Sequence, residues 1–252
     1  MIKLEKTVRP SGEQWEAIIR GMRNPMNSWE KSDTGWVQDT YNDNRTAIDY
    51  DDEWVTKKVI GPNDLDLMMK LRNAGTDHRK FMRMIIVYVD ITAPLYWWKE
   101  FDTYKVGTVA NSCSTMHKIH AKEFTLEDFS HEDLADEGDE AGVYYSSIAE
   151  ELLGSLDVLK ITVDALNVYR KCYLETNVFG YWRKMIQLLP SSYNQKRTVM
   201  LNYEVLANIY KSRKNHKLKE WRDLCEWIEG LPYSELITGG CYDNEVHDAA
   251  DS

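Results

Sequence analysis

The chain has 252 residues, a formal charge of −10, nine Trp and fifteen Tyr. That length corresponds to one large domain or two small ones and allows a sizeable core. The acidic balance argues against a nucleic-acid coat or a membrane-surface binder, since each needs a broad basic face; a small anionic ligand at a local basic cluster stays possible.

The first elements are a short strand at Ile2–Glu5 and a helix from about Gly12. Ser11 is placed to cap that helix, and Trp15, Ile18, Ile19 and Met22 share one face of it. Residues 24–60 are rich in Asn, Asp, Gly and Trp and read as loops, with one strand around Val55–Ile60. Gly61-Pro62 is a turn, and Asn63 or Asp64 is expected to cap a helix through Leu71.

The best strand is Arg83–Thr92, RMIIVYVDIT, whose continuous apolar character predicts burial on both faces. Ala93-Pro94 then starts an aromatic helix with Trp97, Trp98, Phe101 and Tyr104 at helical spacing, which breaks at Gly107 into the polar run Thr108–Ser114. Residues 123–140 carry nine acidic side chains and no Lys or Arg, and read as an acidic, solvated insert. Gly142 to about Asn177 reads as one long helix on the spacing of Ile148, Leu152, Leu156, Leu159 and Val163. A helix ending at Leu188-Leu189-Pro190 follows, then helices over about Val199–Ser212 and Trp221–Ile228. The tail, residues 240–252, is acidic and expected to be flexible.

The four cysteines are far apart, with no Cys-x-x-Cys, and His117 and His120 lack a visible third ligand, so no metal site is expected. Nothing at the N-terminus reads as a signal peptide and no apolar run reaches membrane length; a cytoplasmic location is expected.

The order of elements is similar to that of the flavin-dependent thymidylate synthases, the ThyX family. The resemblance is carried by residues 70–120 and 180–230. The family signature R-H-R-x-x-S-x-N-E-x-S-x-R-Y corresponds, with one extra residue before Asn111, to the run from Thr103 to His117, in which Asn111 and Ser114 match, Thr108 replaces a Ser and Lys105 retains one positive charge, while the first Arg, the His, the Glu and the last Arg are gone. Glu100 stands where the family has Gln. A second family pattern, N-L-R-x-x-x-N-F-x-x-x-R followed by His, matches Asn202, Asn208, Arg213 and His216 within NYEVLANIYKSR and beyond. Its middle Arg is Glu204 here, and the family's Arg before the Leu-Pro pair is Ile186.

The resemblance implies an α/β fold of the α+β type: one ThyX-like domain over 1–252, with a central, mainly antiparallel sheet flanked by helices. It implies methylation of dUMP, or a related pyrimidine nucleotide, at C5, with FAD as cofactor and NADPH and methylene-tetrahydrofolate as co-substrates. Arg213 takes the catalytic role, because a fixed guanidinium stabilises charge spreading onto the pyrimidine carbonyls. Glu100, Ser112, Ser114 and Arg213 are the substrate-binding candidates. Lys105, Thr108, Asn111, Asn202, Asn208 and His216 are the flavin-binding candidates. A homotetramer with sites shared between subunits is implied, without nucleic-acid or membrane partners.

The residues also have plainer readings. Arg213 lies in a basic run, KSRKNHKLK, that by itself reads as a solvated helix end. Asn208 in an apolar helix suggests a buried hydrogen bond, and Asn111, Ser112 and Ser114 suit turn chemistry. The missing family arginines leave open a catalytically inactive ThyX-fold protein that binds a nucleotide or serves a structural role.

Overall fold

The structure, a computed structural model, describes residues 2–39, 55–134, 144–146 and 151–240. In chain order its elements begin with β1 (Lys3–Val8), α1 (Gly12–Arg23), β2 (Gly35–Asp39), β3 (Val55–Val59) and α2 (Pro62–Asn73). Next come β4 (Ile86–Pro94), α3 (Leu95–Phe101), β5 (Val109–Ser112), β6 (Tyr144–Ser146) and β7 (Glu151–Leu153). The last are α4 (Ser155–Thr176), α5 (Phe179–Leu188), β8 (Asn194–Asn202), α6 (Tyr203–Arg213), α7 (Lys219–Glu229) and α8 (Glu235–Thr238).

The central sheet has the order β1-β4-β8-β5, and each neighbouring pair is antiparallel. β4 and β8 form its middle, in register from Ile86 opposite Asn202 to Pro94 opposite Asn194. Burial on β4 alternates: Val87, Val89, Ile91 and Ala93 are fully buried, while Tyr88 is 44% exposed. The expectation of burial on both faces is therefore wrong. A side-chain period of two sends Tyr88, Asp90 and Thr92 to the opposite face, where Asp90 accepts a hydrogen bond from Thr198 Oγ1 at 2.6 Å and pairs with Lys196 at 3.1 Å.

β4 also starts later and ends later than the sequence suggests. Arg79–Arg83 is a 3₁₀ turn, and the strand continues through Pro94, which caps α3 from outside. The helix expected over Val199–Ser212 is half wrong: residues 194–202 are strand, and the helix starts at Tyr203. Val199 and Leu201 alternate into the core, so the period there is two; Asn202 ends the strand and caps the helix. The polar run after Gly107 contains a strand, β5, formed by backbone pairing to β8 rather than by side-chain burial, since all four of its residues are exposed.

The long helix expected from Gly142 is shorter. α4 begins at Ser155 after Gly154, and Tyr144–Ser146 pairs with Glu151–Leu153 as a hairpin. Ile148 lies outside the described residues. Where one strand was expected between residues 24 and 60, β2 and β3 pair as a ladder. α1 forms as read, with Ser11 and Gln14 in a reciprocal capping box and Trp15, Ile18, Ile19 and Met22 buried. α2 is capped from Gly61 with Pro62 in its first turn, not from Asn63 or Asp64.

Two cores result. The larger lies on the buried face of the sheet, beneath α1, α2, α3, α6 and α7, and includes Trp15, Met68, Trp97, Trp98, Tyr203 and Trp221. The smaller joins Ile119, Phe124 and Phe129 to Leu159, Val163 and Leu166 of α4 and Met185 of α5. Phe124 and Phe129 belong to the acidic run, so its described part, 123–134, is anchored in a core rather than merely solvated. Residues 135–140 and 241–252 lie outside the described residues. Among the described residues, no helix is long and apolar enough to cross a membrane.

Candidate functional site

Three helices meet where the sequence placed its principal candidate. α3 buries Trp97, Trp98 and Phe101 on one side and carries Glu100 on its half-buried flank. α7 brings Trp221, whose ring centroid is 4.8 Å from that of Trp97 and whose Nε1–H donates to Glu100 Oε2 at 2.9 Å. The last turn of α6 brings Arg213.

Arg213 is held from three directions. Its Nη1 is 3.0 Å from Glu100 Oε2, and its Nε donates to the Tyr104 hydroxyl at 3.0 Å. Its guanidinium carbon lies 4.6 Å from the centroid of Trp221, a cation–π geometry. His216 completes the group. Its Nε2 is 3.8 Å from Glu100 Oε2, while its Nδ1 accepts from the Leu218 backbone N–H at 3.2 Å. Since Nδ1 is an acceptor, neutral His216 carries its proton on the nitrogen facing the carboxylate. Arg213, Glu100 and His216 remain 20%, 38% and 24% exposed, so a ligand can reach all three.

This arrangement can present a fixed cation, an anion and an imidazole N–H to a planar polar molecule. The plain reading of Arg213 as a solvated helix end does not describe it, because the guanidinium is immobilised against two aromatic rings. Tyr104 and Trp221 were read from the sequence as helix and core residues, and their part in holding Arg213 was missed. Tyr104 lies 109 positions from Arg213, and Trp221, on the next helix, is turned toward the group by Glu100, 121 positions away, which local spacing does not reveal.

The other candidates are distributed as follows. Asn202 is buried at the N-cap of α6; its Oδ1 accepts from the Val205 N–H at 2.9 Å and its Nδ2 donates to the Gly107 carbonyl at 3.3 Å. Thr108 Oγ1 donates to the Tyr104 carbonyl at 2.6 Å. Both residues thus use polar atoms internally and shape the Tyr104–Thr108 turn. Gly107 fits that turn through its positive φ of 82°, and a Cβ there would lie 2.3 Å from Asn202 Nδ2. Lys105 and Asn208 are exposed. The expected buried hydrogen bond of Asn208 is accordingly not found, because it sits on the outer side of α6.

Asn111 and Ser112 lie on β5, opposite Thr198 and Arg197. Ser114 Oγ accepts from the His117 N–H at 2.9 Å, the turn role that the plain reading gave it. Ser114 also lines a cavity of about 660 Å³ with Cys113, Lys122, His131, Tyr193 and Lys196; Glu100 and Arg213 are not in that lining. Within the single chain, Ser114 is therefore not brought to the Arg213 cluster.

Two of the positions where the resemblance lost an arginine, Glu204 and Ile186, have explicit structural roles. Glu204 on α6 pairs with Arg83 and with Arg79, the latter at 3.3 Å. The hydrogen bond from Arg83 holds its carboxyl below the usual carboxylate range, against a burial effect of opposite sign. Ile186 packs against the smaller core.

The fold defined by this sheet and its helices is that of the flavin-dependent thymidylate synthases. Two solved structures of the enzyme ThyX from Helicobacter pylori, each complexed with FAD and dUMP, are similar to this chain. One superposes with a TM-score of 0.58 at 15% identity, covering 94% of this chain and 98% of the other. The second gives 0.57 at 16% identity, covering 95% and 98%. No protein-family model and no curated protein sequence matches the chain.

Proposed function

We propose that the protein is a flavin-dependent thymidylate synthase-like enzyme that methylates dUMP, or a related pyrimidine nucleotide, at C5. The observation that carries this reading is the immobilised Arg213 within a fold whose solved relatives hold FAD and dUMP. A guanidinium already oriented by Tyr104, Trp221 and Glu100 needs little reorganisation to stabilise charge on a pyrimidine carbonyl, and such fixed donors are typically worth about 3–4 kcal/mol in the transition state.

In this reading Glu100, Ser112 and Ser114 contact the substrate with Arg213. Ser112 and Ser114 do so from a neighbouring subunit. The exposed Lys105, Asn111 and Asn208 and the accessible His216 supply polar groups suited to FAD. Thr108 and Asn202 act behind them, by fixing the turn that carries Lys105. Bound FAD would supply hydride transfer, with methylene-tetrahydrofolate as carbon donor and NADPH as reductant.

A homotetramer is part of the same reading. On α4, Val158, Ile161 and Val168 are 42%, 53% and 59% exposed, and Phe179 at the start of α5 is 60% exposed. Such surface favours association. Light scattering at micromolar concentration should report a tetramer, and a monomer would refute the shared site. The free Cys113, Cys172 and Cys225 are compatible with a cytoplasmic setting.

A second reading has its own support. Glu100 already compensates part of the Arg213 charge, Glu204 stands where the resemblance expects an arginine, and Ile186 stands where it expects one that holds the substrate phosphate. These features favour a ThyX-fold protein that binds a nucleotide without turning it over. Two measurements separate the readings: FAD titration followed by flavin absorbance, and dTMP formation from dUMP, methylene-tetrahydrofolate, FAD and NADPH. Saturable flavin binding with turnover supports the enzyme; binding without turnover supports the alternative; no binding at roughly millimolar FAD removes the flavin.

A further inference from the structure

We propose that the Glu100–Arg213 pair makes this site select a 4-aminopyrimidine nucleotide, such as a deoxycytidine monophosphate, over its uracil counterpart. The inference deepens the pyrimidine-nucleotide reading above and rests on it. Its ground is the unused hydrogen-bonding capacity of the pair. Glu100 Oε2 faces Trp221 Nε1, Arg213 Nη1 and His216 Nε2, whereas Oε1 makes no hydrogen bond among the described residues. Arg213 uses Nε on Tyr104, and Nη2 makes no hydrogen bond among the described residues.

The exposed face of the pair therefore offers guanidinium donors beside an acceptor-only carboxylate. A cytosine edge reads carbonyl acceptor, ring-nitrogen acceptor, amino donor. Arg213 matches the two acceptors, and Glu100 Oε1 matches the 4-amino group, which is the usual partner of a carboxylate at cytosine. A uracil edge reads acceptor, donor, acceptor. Its single N–H lies between two carbonyl oxygens, so a carboxylate accepting it is set against their lone pairs. Only one guanidinium bond then remains in place of two. A matched set of this kind discriminates by roughly tenfold to a hundredfold.

The carboxylate is fixed in this role. The Trp221 indole N–H at 2.9 Å and the Arg213 guanidinium at 3.0 Å both engage Oε2 and fix the orientation of the Glu100 carboxylate, and Trp221 is itself held by its ring contacts with Trp97 and Phe101. An amide at the same place has one acceptor and one donor and can turn its NH₂ toward a uracil carbonyl.

The test is calorimetric titration of the full chain, in the presence of FAD, with deoxycytidine monophosphate and with dUMP, for wild type and Glu100→Gln. The wild type should bind the cytosine nucleotide at least about tenfold more tightly, and Glu100→Gln should abolish or reverse that ratio. Thermal melts confirm that the variant is folded. Equal or tighter binding of dUMP by the wild type overturns the inference and leaves the nucleotide reading standing. So does a ratio unchanged by Glu100→Gln. Binding of neither nucleotide overturns the pyrimidine reading itself, and the inference with it.

Discussion

Two arginine–carboxylate pairs in this molecule have the same chemistry and opposite surroundings. Arg23–Asp64 is sealed: the side chains are 4% and 0% exposed, and Nε donates to Oδ1 at 2.6 Å. Each guanidinium nitrogen and both carboxylate oxygens have a partner. Asp64 Oδ2 accepts from Ser32 Oγ and Thr34 Oγ1 at 2.7 Å and from the Asp33 and Thr34 N–H groups, while Arg23 also donates to the carbonyls of Ser28 and Lys31. Arg213–Glu100 is open, with an unused oxygen and an unused nitrogen among the described residues. The first pair ties the 28–34 loop to α1 and α2 and has nothing left for a ligand. The second is weakly worth having as an ion pair and is well placed to receive one. Completeness of hydrogen bonding, rather than the presence of an Arg and an acid, separates a structural pair from a candidate site.

The largest expected effect breaks the sealed pair. Asp64→Ala leaves the Arg23 guanidinium buried without its counter-charge and should cost about 3–5 kcal/mol. Urea unfolding measures it, and a loss below about 1 kcal/mol would show that the pair is not the tie described. The pH dependence has a definite sign. Burial raises the Asp64 pKa, but hydrogen bonds from Thr34, Ser32 and Arg23 outweigh it, so its folded value is lowered. A depressed acid contributes stability above its unfolded pKa of about 3.9, lost as pH falls through that value toward the folded one. Acid titration of wild type should show this loss, and Asp64→Ala should show less of it.

Next in size is the open pair's effect on turnover. Arg213→Lys keeps the charge but removes the planar fork that reaches Tyr104, Glu100 and the Trp221 face together. If the enzyme reading holds, it should remove most dTMP formation, corresponding to about 3–4 kcal/mol, with fold and assembly intact. Equal turnover of variant and wild type would take Arg213 out of the chemistry.

A smaller effect is expected at the turn where the two signature regions touch, Gly107 against Asn202. Gly107→Ala places a methyl against Asn202 Nδ2 at a positive φ, and should cost about 1–3 kcal/mol through strain and the lost Asn202 contact. If Lys105 binds a flavin phosphate, FAD affinity should fall with it; unchanged stability would show that the turn relaxes freely.

Legibility in the sequence followed the range of the interactions. α1, α5 and α7 were readable because caps and a 3.6-residue period are local: Ser11 with Gln14, Leu188 before Pro190, and Trp221, Leu224, Cys225 and Ile228 on one face. β5 and β8 were not, because they exist by pairing. β5 buries none of its four side chains, and β8 runs directly into α6 at Asn202 without a loop. At the site, Arg213, Glu100 and His216 converge as candidates named from the sequence. Tyr104 and Trp221 carry no local mark distinguishing them from core aromatics. The exposure of Asn208 likewise depends on which side of α6 faces the sheet.

The smallest expected effect sharpens the comparison most directly. Glu100→Gln removes the charge of the open pair but keeps an oxygen for the Trp221 N–H. Glu100 is 38% exposed, so water screens its attraction for Arg213 and can solvate the guanidinium once the charge is gone. The stability cost should therefore stay within about 1 kcal/mol, against the several expected for the sealed pair. In a chain of this length that is a fall in melting temperature of no more than about 2–4 °C. A cost as large as that of Asp64→Ala would make Glu100 a structural counter-ion, fully engaged by Arg213, and would leave no capacity at its carboxylate for a base. A small cost, together with a changed nucleotide preference, would place the same residue on the binding side of the comparison.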